Sequence, residues 1–181
     1  MFDLHQNHFR LFGLSEQFGL DLAELFERYL RLRQTVHPDL YAAAGDREKR
    51  LSLQASTRVN EAYQTLKDPL ARARYLLTLL TGDQGDDQET TKDMAFLLEQ
   101  MELREALAAA RDAADPFAGL AAVRDRLSLQ SSHLIAQLAA SLEPVSSLDP
   151  EAARELIRKL QFVRKCEAEA EALEAELDEA L

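Results

Sequence analysis

The chain has 181 residues, 46% of them hydrophobic, a single cysteine and a formal net charge of -11 at pH 7. That length builds one ordinary domain or two small ones, and the lone Cys166 excludes an internal disulfide or a Cys-based metal or iron-sulfur site within one chain. No run reaches the roughly 18 consecutive apolar residues of a membrane helix, and MFDLHQNHFRL lacks the basic-then-apolar layout of a secretory leader, so a cytoplasmic protein without membrane association is expected.

Charge is distributed unevenly. Residues 1–80 carry 11 Lys and Arg against 10 Asp and Glu, whereas residues 81–181 carry 10 against 22. An acidic half repels phosphates, so nucleic acid is not an expected partner, and the asymmetry suggests two modules.

In chain order, NHFRLFGL is a short helix-forming stretch. DLAELFERYLRLRQTV follows, with Leu22, Leu25, Phe26, Tyr29, Leu32 and Val36 at three- and four-residue steps, an apolar stripe on a helix that opens near Asp21. The residue before a proline is pushed out of the α region, so His37 leaves this helix because Pro38 follows it. The next helix runs from about Asp46 to Lys67, lined by Leu51, Ala55, Val59, Ala62 and Leu66; a short loop makes the two an antiparallel hairpin. Asp68 and Pro69 read as a cap and first position for a third helix, LARARYLLTLL.

TGDQGDDQETTKD is the best linker, giving expected boundaries of 1–80, a linker at 81–92 and a second module at 93–181. Three further helices are predicted near 91–111, 116–141 and 149–179, a three-helix bundle whose acidic end, EAEALEAELDEAL, is expected to fray. No strand-like alternation, repeat or low-complexity tract is present, so the predicted class is all-α.

The stretch QTVHPDLYAAAGD carries the first candidate site. A loop between rigid helices presents the Asp39 carboxylate to a partner's arginine, His37 supplies an imidazole at a helix end, and Pro38 fixes the turn. On the tripeptide alone, a structural turn capped by Asp39 is an equal reading. The flanking pattern, FRLFGL, then HPD, then VNEAYQTLKDPLARARYLL, resembles a J-domain over residues 7–80, and DMAFLLEQMELREAL resembles the opening of the C-terminal domain of the HscB family, co-chaperones of iron-sulfur cluster assembly.

That resemblance implies a contact between His37, Pro38 and Asp39, with Arg28, Arg31 and Arg33 on the preceding helix, and an HscA-type heat-shock ATPase whose hydrolysis is stimulated. The sequence departs from the J-domain pattern at Leu40, where a basic residue is frequent, and Asp21, Glu24 and Glu27 offset the arginines, so electrostatic steering is expected to be modest.

Periodicity indicates a second surface. At about 100° per residue, Phe96, Leu103 and Leu107 share one side of their helix, while Met94, Leu97, Leu98 and Met101 share another beside Glu102 and Glu105. On the last helix Leu156, Leu160 and Val163 form a stripe and Phe162 points elsewhere. Such a second face is either buried or offered to a partner. The resemblance implies the latter, with Leu97, Leu98, Met101, Glu102, Glu105 and Phe162 binding an IscU-type iron-sulfur scaffold protein.

Other suggestive residues carry less. His5 and His8 lack a third ligand and read as mobile polar residues, His133 as a partly buried helical histidine, and Cys166 as inert packing despite the preceding basic RK. With no nucleophile and base, phosphate loop or metal cluster, no enzyme and no cofactor is expected, and no paired cysteines precede the J-domain-like region to hold zinc. Delivery of general unfolded clients to a heat-shock ATPase, or a purely structural helical protein, are the alternative readings.

Overall fold

The computed structural model describes residues 6–37, 45–83, 90–143 and 148–179. Seven helices and no strand occur among the described residues, in two compact units, Met1–Gly82 and Asp83–Leu181.

The first unit contains α1 (His8–Leu11), α2 (Leu22–Val36), α3 (Asp46–Lys67) and α4 (Pro69–Thr81). Aspartates start the helices: Asp21 accepts from the backbone N–H of Ala23 at 2.8 Å in α2, and Asp68 accepts from Ala71 at 2.7 Å ahead of Pro69 in α4. Each satisfies an otherwise orphaned donor. α2 ends at Val36 and His37 is extended (φ -63°, ψ 129°), as the proline that follows it in the sequence requires. The pairings Val36 with Ser52 and Tyr29 with Asn60 show α2 and α3 antiparallel, around Leu25, Val59, Ala62 and Leu66.

Three expectations change here. Leu51 is exposed, and Ser52 takes the buried place because its hydroxyl donates to the Val36 carbonyl at 2.9 Å, satisfying a carbonyl that α2 leaves over. Leu22 and Phe26 are also exposed, because they stand at the rim of the α2–α3 contact, where Phe26 reaches only the Tyr63 ring, and not on the Leu25 and Val36 side at its centre. His8 is buried rather than mobile: its ring stacks on Tyr75 at 4.2 Å, and its backbone N–H donates to the Tyr75 hydroxyl.

α1 is fastened to α2 by Arg28, whose guanidinium donates to the carbonyls of Phe12 (2.7 Å) and Gly13 (2.6 Å) and to Glu24 (2.5 Å). Gly13 sits at φ +63°, which a Cβ would strain, and a Cβ there would lie 3.1 Å from the Arg28 guanidinium.

The second unit contains α5 (Met94–Arg111), α6 (Pro116–Leu142) and α7 (Pro150–Glu179), each touching the other two as a three-helix bundle. Asp93 and Asp115 cap α5 and α6 through the N–H groups of Phe96 and Ala118. The core joins Phe96, Leu103 and Leu107 to Leu127, Leu138 and Leu160. Gln100 is also buried, donating to Gln130 at 2.9 Å and accepting from the Cys166 thiol at 3.6 Å.

Ile157, not Leu156, occupies the α7 core stripe; Leu156 is half-buried, because Ala153, Leu160 and Val163 set the inward face one position further round. The acidic end is helical as far as Glu179. Leu173 is buried, Glu169 pairs with Arg104 and Glu176 with Arg111, and both carboxylate oxygens of Glu174 accept from Arg124 (2.5 and 2.6 Å).

Candidate functional site

The first candidate surface lies at the end of α2. His37 is exposed there, directly after the Val36 carbonyl that Ser52 engages. Pro38, Asp39 and Leu40 lie outside the described residues, as does His5. The arginines assigned to this surface do not form one face. At about 100° per residue Arg33 falls on the opposite side of α2 from Arg28 and Arg31. Arg28 is spent on Phe12, Gly13 and Glu24, Arg31 lies 3.5 Å from Glu27, and Arg33 sits 5.7 Å over the Tyr29 ring.

The second candidate surface is on the bundle. Met94 (67% exposed), Leu98 (56%) and Met101 (56%) line the outer side of α5, opposite buried Phe96, Leu103 and Leu107, as the periodicity predicts. Leu97 is half-buried at the edge of this strip. Glu102 and Glu105 are exposed beside it and make no ion pair among the described residues. Phe162 on α7 is half-buried, meeting Phe96 edge-on at 6.2 Å, with the Lys165 ammonium 5.8 Å from its ring. Phe162 therefore stands at the α5–α7 seam, one ring away from the core.

The seam is rigidly set. Asp93 caps α5 and also accepts from Lys159 of α7 at 2.7 Å; that bond, more than the Phe96 N–H, holds its carboxyl below the usual range. Lys159 lies 5.6 Å over the Phe96 ring, and Thr91 donates to Glu155 of α7.

The remaining titratable residues give no catalytic centre among the described residues. His133 is exposed, contrary to expectation, lining an open hollow with Phe96 and Glu99 of α5 and Lys159 of α7. Burial pushes the Cys166 thiol above its ordinary value, outweighing Arg104, so the preceding basic residues do not activate it. Sequence reasoning placed Phe26 and Tyr29 in the single apolar stripe of α2 and gave Tyr63 no role; the spacing 22, 26, 29, 33 marks a stripe displaced from the Leu25 and Val36 side.

Residues 92–171 match the family model of the HSCB C-terminal oligomerisation domain. The chain is 45% identical over 169 residues to a co-chaperone protein HscB homolog of Paraburkholderia phymatum, covering 93% of this chain and 94% of the relative. It is 42% identical to the homolog of Vibrio cholerae, covering 94% and 98%. The solved structure of chaperone HscB from Vibrio cholerae superposes with a TM-score of 0.84 at 41% identity, covering 95% of this chain and 99% of that one. Human co-chaperone HscB superposes with a TM-score of 0.83 at 29% identity, covering 94% and 83%. Fold and relatives together define an all-helical co-chaperone with an N-terminal J-domain and a C-terminal helical domain. The chain belongs to the HscB co-chaperone family.

Proposed function

We propose that this protein binds an IscU-type iron-sulfur scaffold through its bundle, delivers it to an HscA-type heat-shock ATPase through its J-domain, and stimulates ATP hydrolysis there, aiding cluster transfer in the cytoplasm. His37, Pro38 and Asp39 engage the ATPase, with Arg31 and Arg33 available at the rim. Leu97, Leu98, Met101 and Phe162 form the apolar centre of the scaffold contact, and Glu102 and Glu105 its polar edge. The protein performs no catalysis itself and holds no cofactor.

The observation that carries the scaffold half is the exposed strip of Met94, Leu98 and Met101 on a helix that already buries another face. Leaving such side chains in water forgoes about 1.5–3 kcal/mol of burial for each when fully exposed, a cost that binding offsets. Joining the two surfaces in one chain makes the encounter of scaffold and ATPase effectively intramolecular.

Calorimetric titration of the full chain into purified IscU-type scaffold tests this. Saturable binding is expected, weakened about tenfold by Phe162→Ala with little change in melting, since hot-spot truncation costs roughly 1–2 kcal/mol or more. Absence of binding removes the scaffold from the reading. A large fall in melting temperature with unchanged affinity makes Phe162 a core residue only.

A further inference from the structure

Resting on the proposed contact with the ATPase, we infer that Ser52 and Glu48 are positioning residues for stimulation, a two-point clamp on α3 that fixes where the chain leaves α2 at His37 and where it re-enters at Gly45. The Ser52 hydroxyl donates to the Val36 carbonyl at 2.9 Å, and the Glu48 carboxylate accepts from the Gly45 N–H at 3.1 Å. The two side chains stand one turn apart, i and i+4 on one face of α3, within its first two turns. One helix therefore holds both ends of the span that carries His37, Pro38 and Asp39 in the sequence.

The first end is held away from water. A helix leaves its last carbonyls without partners of its own, and Val36 and Ser52 are each only 5% exposed. A serine inside a helix commonly turns its hydroxyl back to its own helix or out to solvent. Ser52 instead reaches a carbonyl 16 residues earlier, from a face whose other buried members, Ala55, Val59, Ala62 and Leu66, are all apolar. Packing alone asks for no hydroxyl there. The Val36 carbonyl and the His37 N–H belong to one planar peptide group, so fixing that oxygen fixes the plane from which His37 departs. At the other end Gly45 is the N-cap of α3 without a side chain to cap it, and the bond from its N–H to Glu48 holds the chain instead.

Such a clamp acts on a population. When it is loosened, fewer molecules present His37 in the productive direction, and apparent affinity falls by that fraction while the contact, once made, is unaltered. The test measures stimulation of an HscA-type ATPase against concentration of the full chain, reading the maximum and the half-maximal concentration separately. Ser52→Ala should raise the half-maximal concentration about fivefold, with the maximum unchanged. Glu48→Ala should raise it about twofold, because the exposed Gly45 N–H can turn to water. Ala73→Gly, at a buried position on α4 outside the α2–α3 hairpin, weakens the same unit without touching the clamp and should leave both values as in wild type. Tyrosine near-ultraviolet circular dichroism gives the melting loss of each variant.

His37→Gln separates the two levels of the argument, since it should abolish the maximum itself. If Ser52→Ala keeps the wild-type half-maximal concentration, or Ala73→Gly raises it as much for the same melting loss, Ser52 serves packing only and the proposed function stands. If His37→Gln stimulates as wild type does, the contact with the ATPase falls and the clamp's role falls with it.

Discussion

Replacing Arg28 by Met keeps the aliphatic stem and removes the guanidinium that ties α2 to the Phe12 and Gly13 carbonyls. Hydrogen bonds to a charged group contribute about 1.5–3 kcal/mol each when buried. The Arg28 side chain is 32% exposed, and part of the bond to Glu24 is screened, so about 2 kcal/mol for the whole set is a fair discount. For a unit of this size each kcal/mol moves the midpoint by about 4–8 °C, so the J-domain should melt about 10 °C lower. The sequence supplies the assay: all four tyrosines lie within residues 1–82 and there is no tryptophan, so tyrosine near-ultraviolet circular dichroism follows this unit alone in the full chain. Arg31→Gln, on an exposed pair, should melt like wild type. A midpoint within about 2 °C of wild type for Arg28→Met, together with lost ATPase stimulation, would refute the reasoning and return Arg28 to the contact surface.

Three other outcomes are expected. Burial, reinforced by the Arg58 charge, lowers the His8 pKa from 6.5 to about 4, so the unfolded chain takes up this proton first; the neutral ring's contribution is full above pH 6.5 and is lost as pH falls through about 4. Tyrosine-monitored urea melts should show His8→Phe losing less stability than wild type over that range, by at most about 3 kcal/mol; parallel curves would refute it. Gln100→Ala should cost about 2–4 kcal/mol in denaturant melts of the bundle, whereas Gln100→Leu, which keeps the volume, should cost less; equal losses would mean that its bond to Gln130 outweighs its packing. Cys166, buried with a raised pKa, should resist alkylation at neutral pH until urea unfolds the bundle, and rapid native-state labelling would contradict its burial.

Helix starts were legible because local chemistry sets them. Asp21, Asp68 with Pro69 and Asp115 with Pro116 each announce a first turn whose N–H groups need an acceptor, and Pro38 dictates where α2 stops. Inward faces were legible only where one side of a helix is apolar. On α3 the neighbours Leu51 and Ser52 differ by about 100°, and the leftover Val36 carbonyl, invisible in the sequence, draws Ser52 inward. On α7 the adjacent Leu156 and Ile157 compete in the same way, and packing selects Ile157. The outer strip of α5 was readable because Met94, Leu98 and Met101 stand directly opposite the core residues. The separation of Arg33 from Arg28 and Arg31 follows from periodicity, but the internal use of Arg28 depends on a carbonyl 16 residues away. The burial of His8 depends on Tyr75, 67 residues on.

That last distance also sets an order of events during synthesis. The α2–α3 hairpin can pair once Lys67 is made, and α1 can then lie against α3 and the Arg28 guanidinium, but His8 has no Tyr75 ring to stack on until half of α4 has been translated. The His8 side of the first-made helix is therefore among the last pieces of the unit to be covered. Until it is, His8 and the Phe9 ring, which lies 6.0 Å from Tyr75, lack that cover, so the nascent J-domain passes through a stage in which it resembles a client of the chaperone system it serves.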